Sequence, residues 1–299
     1  RSSLAQRLGV TLEQPYPSSD RSEGLANIML DALNDVKQPL TVDRLMQWHR
    51  WLFNDPDWTM HRLRIGQLRG AEPMQVVSGR LDYPKVHFEA PPRQGLEERL
   101  NAFIDWFNQS LNDSLLDPLL RAGITHLWFV TLHPFDDGNG RITRTLTDLS
   151  LAQMDEQSIR LYAMSTAILN KRKSYYEILE QTQKNDSDIT DWLVWFLDTL
   201  NDSLEKTLAQ ISRTLFKSQF WHKYSNLALS EEQRKVLNRL LDGGENGFEH
   251  GISASQYQKV AKTSKATATR HLSDLLEKKC IVKLEGGGRN TRYQINTQL

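Results

Sequence analysis

The chain has one cysteine, Cys280, in 299 residues, so no disulfide can close within it. That excludes the cystine-stapled scaffolds of small secreted domains and fits a reducing compartment. An excess of charge of either sign is also missing: 37 basic side chains stand against 37 acidic ones, a formal net charge of 0. No whole-chain attraction to nucleic acid or to an anionic membrane follows from that balance. Nothing approaches the roughly 18 consecutive apolar residues of a membrane-spanning helix, and no secretory n-region and h-region is visible. The expectation is a cytoplasmic globular chain with no membrane partner, long enough to bury a core in more than one domain. It opens on Arg1 rather than methionine, which reads as a fragment or a processed product.

What is present is concentrated in one run, His133-Pro-Phe-Asp-Asp-Gly-Asn-Gly-Arg-Ile-Thr-Arg144. Upstream, Asp117-Pro118 supplies an N-cap and a first-turn proline, and Leu120, Ile124, Leu127 and Trp128 recur at helical spacing. That helix must end at His133-Pro134, because proline cannot continue it. Downstream, Ile142, Leu146 and Leu149 mark a second apolar face, so a helix starts near Gly140. A tight glycine loop feeding a helix N-terminus offers backbone N–H groups and the positive end of the macrodipole to phosphate oxygens. Gly138 and Gly140 can take positive φ and let an anion close to the backbone. Arg141 and Arg144 reach one polyphosphate from the first helical turn, with the Asn139 amide as a donor between them. A carboxylate such as Asp137 beside phosphate oxygens most simply holds magnesium. His133, with an imidazole that ordinarily titrates near neutrality, can take a proton from an attacking hydroxyl. Phe135 points inward and anchors the loop. The set reads as phosphoryl or nucleotidyl transfer.

The run resembles the signature of the Fic (filamentation induced by cAMP) family, H-x-F-x-[DE]-G-N-G-R-x-x-R, with every defining position filled. The resemblance implies a protein adenylyltransferase that moves AMP from ATP to a Tyr, Ser or Thr hydroxyl of a target protein. It would make His133 the general base and Asp137 the ligand of Mg2+. Gly138, Asn139 and Gly140 would form the anion hole, with Arg141 on the β phosphate and Arg144 on the γ phosphate. The family also has kinase and phosphocholine-transferring branches. The kinase branch departs at the second glycine, which is present here as Gly140.

Helices are expected over Glu23 to Val36, Val42 to Phe53, Leu96 to Leu111, Leu119 to Leu132, Arg141 to Met154 and Ser165 to Thr182, with a long one from Thr190. The exception to this all-α reading runs from Met74 to Ala90. There Val76-Val77-Ser78-Gly79 and Val86 to Ala90 flank a turn at Asp82-Tyr83-Pro84, the pattern of a hairpin. It resembles the Fic flap that holds the target segment by strand addition, which makes Val76, Val77 and Ser78 target-binding candidates. Fic enzymes build the adenine pocket after the motif helix, so Tyr175 and Tyr176 are nucleotide candidates, although paired tyrosines are more often packing residues. His126 has no partner at ligand spacing and reads as a hydrogen-bonded core histidine rather than a zinc ligand.

Fic activity is commonly restrained by an inhibitory [ST]-x-x-x-E-[GN] helix, and Ser19 to Gly24 matches it, with Glu23 as the inhibitory candidate. The same stretch also reads as the capped start of an ordinary helix. The run Arg1 to Gly9 resembles the segment just after the inhibitory motif in one Fic subfamily with an extra N-terminal domain. On that reading the true glutamate lies upstream of Arg1.

The domain expectation is a Fic-type helical bundle over 1–222 and a winged helix-turn-helix over 223–299. In the latter, helices at Glu232 to Leu241, Ser255 to Lys262 and Lys265 to Lys278 precede strands at Ile281 to Leu284 and Arg292 to Ile295. Lys265, Thr267, Thr269 and Arg270 would open a recognition helix, with Arg289 at the wing tip, a DNA-binding arrangement. Winged helices equally serve protein docking or dimerisation. Two functions therefore compete. One is an enzyme acting on a protein hydroxyl, with DNA, a docking protein or a second copy as further partners. The other is a DNA-binding transcriptional regulator that senses a nucleotide. A sensor has no evident use for a base at His133.

Overall fold

The computed structural model describes residues 20–53, 63–80, 83–155, 164–184, 187–243, 248, 250–285 and 291–298. Arg289, the Asp82 turn and residues 1–19 fall outside them, and so do the side chains of residues 20–22, 78–80, 83–85 and 155. The chain packs as two units, 1–204 and 205–299. No helix among the described residues is long and apolar enough to cross a membrane.

In the first unit the helices are α1 (Asp20–Asn34), α2 (Val42–Leu52), α3 (Leu96–Gln109), α4 (Pro118–Leu132), α5 (Asn139–Asp155), α6 (Met164–Asn170) and α7 (Arg172–Lys184). The long α8 (Thr190–Lys223) begins here. Local chemistry sets the starts: Asp117 Oδ1 accepts the N–H groups of Leu119 and Leu120 ahead of Pro118, and Thr41 Oγ1 accepts that of Arg44. The stretch expected as one helix over 165–182 breaks at Lys171, whose N–H is shared between the carbonyls of Ala167 and Ile168. Helices α4 and α5 are packed along their length, with a hydrophobic cluster on either side of the pair. Phe129, Leu132, Ile142 and Leu146 join Trp48, Phe103 and Phe107, while Leu127, Val130 and Leu151 join Trp192 and Phe196. Each such buried side chain contributes about 1.5–3 kcal/mol relative to exposure, so the turn between α4 and α5 is held by its own helices.

The hairpin is β1 (Gln75–Arg80) and β2 (Tyr83–Glu89), antiparallel, with Val77 opposite Val86 and a bulge between Val76 and Val77. Tyr83 and Pro84, expected in the turn, instead belong to β2, where Pro84 stands opposite Gly79. Proline is tolerated because this two-stranded sheet has only edge strands.

The second unit contains α9 (Glu231–Asp242), β3 (Ile252–Ser253), α10 (Ala254–Ala261), α11 (Lys265–Glu277), β4 (Ile281–Lys283) and β5 (Arg292–Ile295), with sheet order β3-β5-β4. Capping boxes at Ser230 with Gln233 and Ser253 with Gln256 start α9 and α10. The two-residue β3 was not foreseen, being too short for an alternating pattern. The second compact unit spans 205–299, and in it Phe216, Phe220 and Trp221 of α8 pack with Val236, Leu237 and Tyr257. Cys280 is in the same core, and burial pushes its thiol up to about 11.

Candidate active site

His133 closes α4 in the left-handed region, φ 47° and ψ 57°. Its Nδ1 lies 3.0 Å from the Val130 carbonyl, which can only accept, so the proton sits on Nδ1 and the lone pair on Nε2. Burial lowers the imidazole's pKa, the Val130 bond opposes this, Arg69 lowers it further and Asp137 raises it. The ring is therefore held neutral, in one tautomer, with no hydrogen-bond partner on Nε2 among the described residues.

The turn after His133 is closed from inside. Asn139 is 2 % exposed, its Oδ1 accepts the Phe135 N–H at 3.0 Å and its Nδ2 donates to the Phe135 carbonyl at 2.7 Å. The amide expected as a donor between the arginines is thus spent on folding the loop, which leaves only the backbone of Asn139 for an anion. Phe135 is fully buried, as expected, and stacks on His49 with centroids 4.3 Å apart. Gly138 has φ 85°, and a Cβ there would meet Phe53 and Leu52 at 3.1–3.2 Å, so this position requires glycine. Gly140 has no positive φ, contrary to expectation. It lies inside the first turn of α5, where a Cβ would project to within 3.4 Å of an Arg144 Nη.

Asp137 is half-exposed, with Oδ1 accepting the Gly138 N–H and Oδ2 facing Arg141 at 3.3 Å. Arg141 also lies over the Phe53 ring at 4.9 Å. Among the described residues no ion pair joins Arg144 to a carboxylate.

His133, Gly140 and Arg144 line a cleft of about 140 Å³ together with Val76 and His87 of the hairpin and Tyr175, Tyr176 and Glu180 of α7. His87 Nδ1 meets Glu180 Oε2 at 3.0 Å, which ties β2 to α7 across this cleft. Tyr175 is buried, its hydroxyl donating to His126 Nε2 at 3.0 Å. His126 Nδ1 donates to Thr147 Oγ1, whose own hydroxyl donates to the Thr143 carbonyl. His126 is accordingly a core histidine, driven down to about 3 by burial and by the charge of Arg144. Tyr176 keeps the more open position, 6.1 Å from His87 and under Arg172. Val77 is exposed and stays out of the cleft lining, and Ser78 pairs with Lys85. A wider depression on α9 is lined by exposed side chains such as Arg234 and Asp242, with no buried polar group to orient a ligand.

Sequence reasoning missed a collar formed by residues 64–70. Asp136 accepts the N–H groups of Arg64 and Gly70. His49 Nδ1 accepts the Gly66 N–H at 2.9 Å, and its Nε2 donates to the Asp137 carbonyl at 3.1 Å. Burial lowers His49 to about 4. Arg69 donates to the carbonyls of His133 and Pro91, and its backbone N–H donates to that of Pro134.

With this geometry in hand, residues 39–151 match the Fic/DOC family. This segment is a Fic domain. Relatives of the Fic domain include "Protein adenylyltransferase Fic" of Nematostella vectensis, 29% identical over 150 residues, or 50% of this chain. "Protein adenylyltransferase fic-1" of Caenorhabditis elegans is 33% identical over 117 residues, or 39% of this chain. These matches span 30% and 20% of the two relatives' own lengths. The fold is similar to the crystal structure of a Fic family protein from Desulfovibrio desulfuricans, with TM-score 0.50 and 19% identity, over 98% of this chain and 80% of that one.

On the second unit, Lys265, Thr269 and Arg270 are exposed on α11. The Thr267 hydroxyl meets the Ser264 cap and that of Thr269 donates to Lys265 O, while Lys278 pairs with Asp274 at 2.7 Å.

Proposed function

We propose that the Fic domain transfers AMP from ATP to a Tyr, Ser or Thr hydroxyl of a target protein. The observation that carries this reading is the neutral, Nδ1-protonated His133 sharing a cleft with Arg144 at the mouth of the turn. Nε2 takes the proton of the attacking hydroxyl. The hydroxyl oxygen bonds to the α phosphorus, the bond from that phosphorus to the bridging oxygen breaks, and pyrophosphate leaves. The backbone of Gly138 to Gly140 with Arg141 and Arg144 stabilises charge on the phosphates, where preorganised donors are most effective. The kinase alternative would put the γ phosphate near His133, and Gly140 argues against it.

Asp137 would hold magnesium. Among the described residues no cluster of three His, Cys, Asp or Glu could hold a metal by itself. One half-exposed carboxylate fits an ion whose other ligands are phosphate oxygens and water. When bound, that ion would neutralise phosphate charge. The hairpin would serve as the flap that aligns the target, with Val76, Val77 and Ser78 nearest to it.

The order α9-β3-α10-α11-β4-β5 supports reading the second unit as a winged helix. Lys265 and Arg270 then face its partner, DNA or a docking protein. A nucleotide-sensing regulator would use the same module without chemistry at His133. ATP labelled on the adenosine or on the γ phosphate separates these readings. Adenosine label on protein is expected, γ label would mean kinase chemistry, and neither would leave the sensor.

A further inference from the structure

The geometry points to Arg69 as a positioning residue that sets the attitude of His133 and fastens it to both legs of the hairpin. The role in catalysis rests on the transfer reading above. Arg69 is 2 % exposed. Its Nε donates to the His133 carbonyl at 2.9 Å and an Nη donates to the Pro91 carbonyl, just beyond β2. Its own backbone stands ahead of β1, donating N–H to the Pro134 carbonyl at 2.9 Å and accepting Arg93 Nε at 2.8 Å. The hairpin legs and the base-bearing turn thus meet at one side chain.

Two physical features say why a cation sits there. His133 is a non-glycine residue at φ 47°, a sparsely populated conformation that persists only where the surroundings over-determine it. The grip on its carbonyl, with Pro134 next in the chain, supplies that constraint. A neutral side chain would bury more cheaply than a guanidinium that has only carbonyl partners among the described residues. The charge has a second effect, because it opposes protonation of the imidazole. The other groups that face His133 are Asp137 on the turn, Arg144 on α5, His87 on β2, and Glu180, Tyr175 and Tyr176 on α7. Of these, Asp137 favours the imidazolium, whereas Arg69 disfavours it.

The test reads His133 directly. The 13Cε1 resonance of His133 is followed against pH in the full chain, alongside adenosine-label transfer from ATP to the acceptor that the labelling experiment identifies. In the unaltered protein the Arg69 Nε–H is expected to exchange slowly with solvent. Arg69→Gln should raise the His133 titration midpoint and lower kcat about a hundredfold, the cost of a misplaced group, with KM for ATP little changed. Arg69→Lys keeps the charge but not the fork, so the midpoint should stay while kcat falls. Rapid exchange of the Nε–H would overturn the assignment even if neither variant folds. So would a folded variant of either kind with unaltered kcat, or a folded Gln variant with an unmoved midpoint. Full adenosine-label transfer by His133→Ala would instead exclude His133 as the base and leave the titration arm standing, whereas γ label or no label on protein would sink the adenylyl reading.

Discussion

Asp137 and Arg141 meet one helical turn apart across 3.3 Å, while the other Asp137 oxygen accepts the N–H of Gly138. The carboxylate thus occupies donors that a phosphate oxygen would use. Both side chains are substantially exposed, so the pair is worth only about 0.2–1 kcal/mol. Asp137→Ala should bind ADP without metal about two- to fivefold more tightly, that same energy expressed as affinity. Magnesium-dependent transfer should fall in the same variant. Calorimetry with and without magnesium checks both, and weaker metal-free binding would contradict the competition.

On the transfer reading, His133 sets the pH profile. Burial and Arg69 lower its pKa, and the base acts only when deprotonated. Activity should therefore persist as pH drops below about 6.5, the ordinary histidine value, with the acid limb of kcat/KM on the acidic side of it. His133→Ala should cost roughly 10²- to 10⁴-fold in kcat. An acid limb above the ordinary value would exclude His133 as the titrating base.

Acid should also unfold the Fic domain through two other imidazoles. His49 and His126 are held neutral in the fold, at about 4 and about 3, by burial. Below about 6.5 the unfolded chain takes up protons that the folded chain refuses, so stability is full above that pH and falls as pH drops. The loss through both residues should reach the order of a few kcal/mol by pH 4. His126→Gln should be less stable at pH 7 but lose less on acidification. Urea melts at pH 7 and pH 5 give the comparison, and parallel losses in both proteins would refute it.

Much of this site was legible because its signals are local. Proline after His133, glycine at 138 and apolar spacing on both flanks announce a helix, a turn and a helix within a few dozen residues. β-branched and aromatic residues on either side of a turn announced the hairpin in the same way. Arg69, His49 and Asp136 were silent for a physical reason: most of their partners are backbone groups far along the chain, 64 residues away for Arg69 with His133 and 88 for His49 with Asp137. Backbone acceptors carry no residue letter to read. Asn139 was legible as a functional letter but not in its orientation, since an amide serves an anion and a loop carbonyl equally well.

Glu23 and Arg144 make a paired test. With no ion pair between them among the described residues, Glu23→Gly should leave label transfer within about twofold of the unaltered chain, as for substitutions away from a site. Arg144→Ala should weaken ATP binding by about ten- to a hundredfold, the value of charge-assisted hydrogen bonds. A large activation by Glu23→Gly would show that Glu23 restrains the site in solution.

The ribbon of β1 and β2 has an unmatched outer margin on each strand among the described residues. A margin of N–H and C=O groups reads the direction and extension of a visiting polypeptide, not its letters. On the flap reading proposed above, discrimination among proteins would come from elsewhere, from side chains around the cleft or from whatever brings the target near.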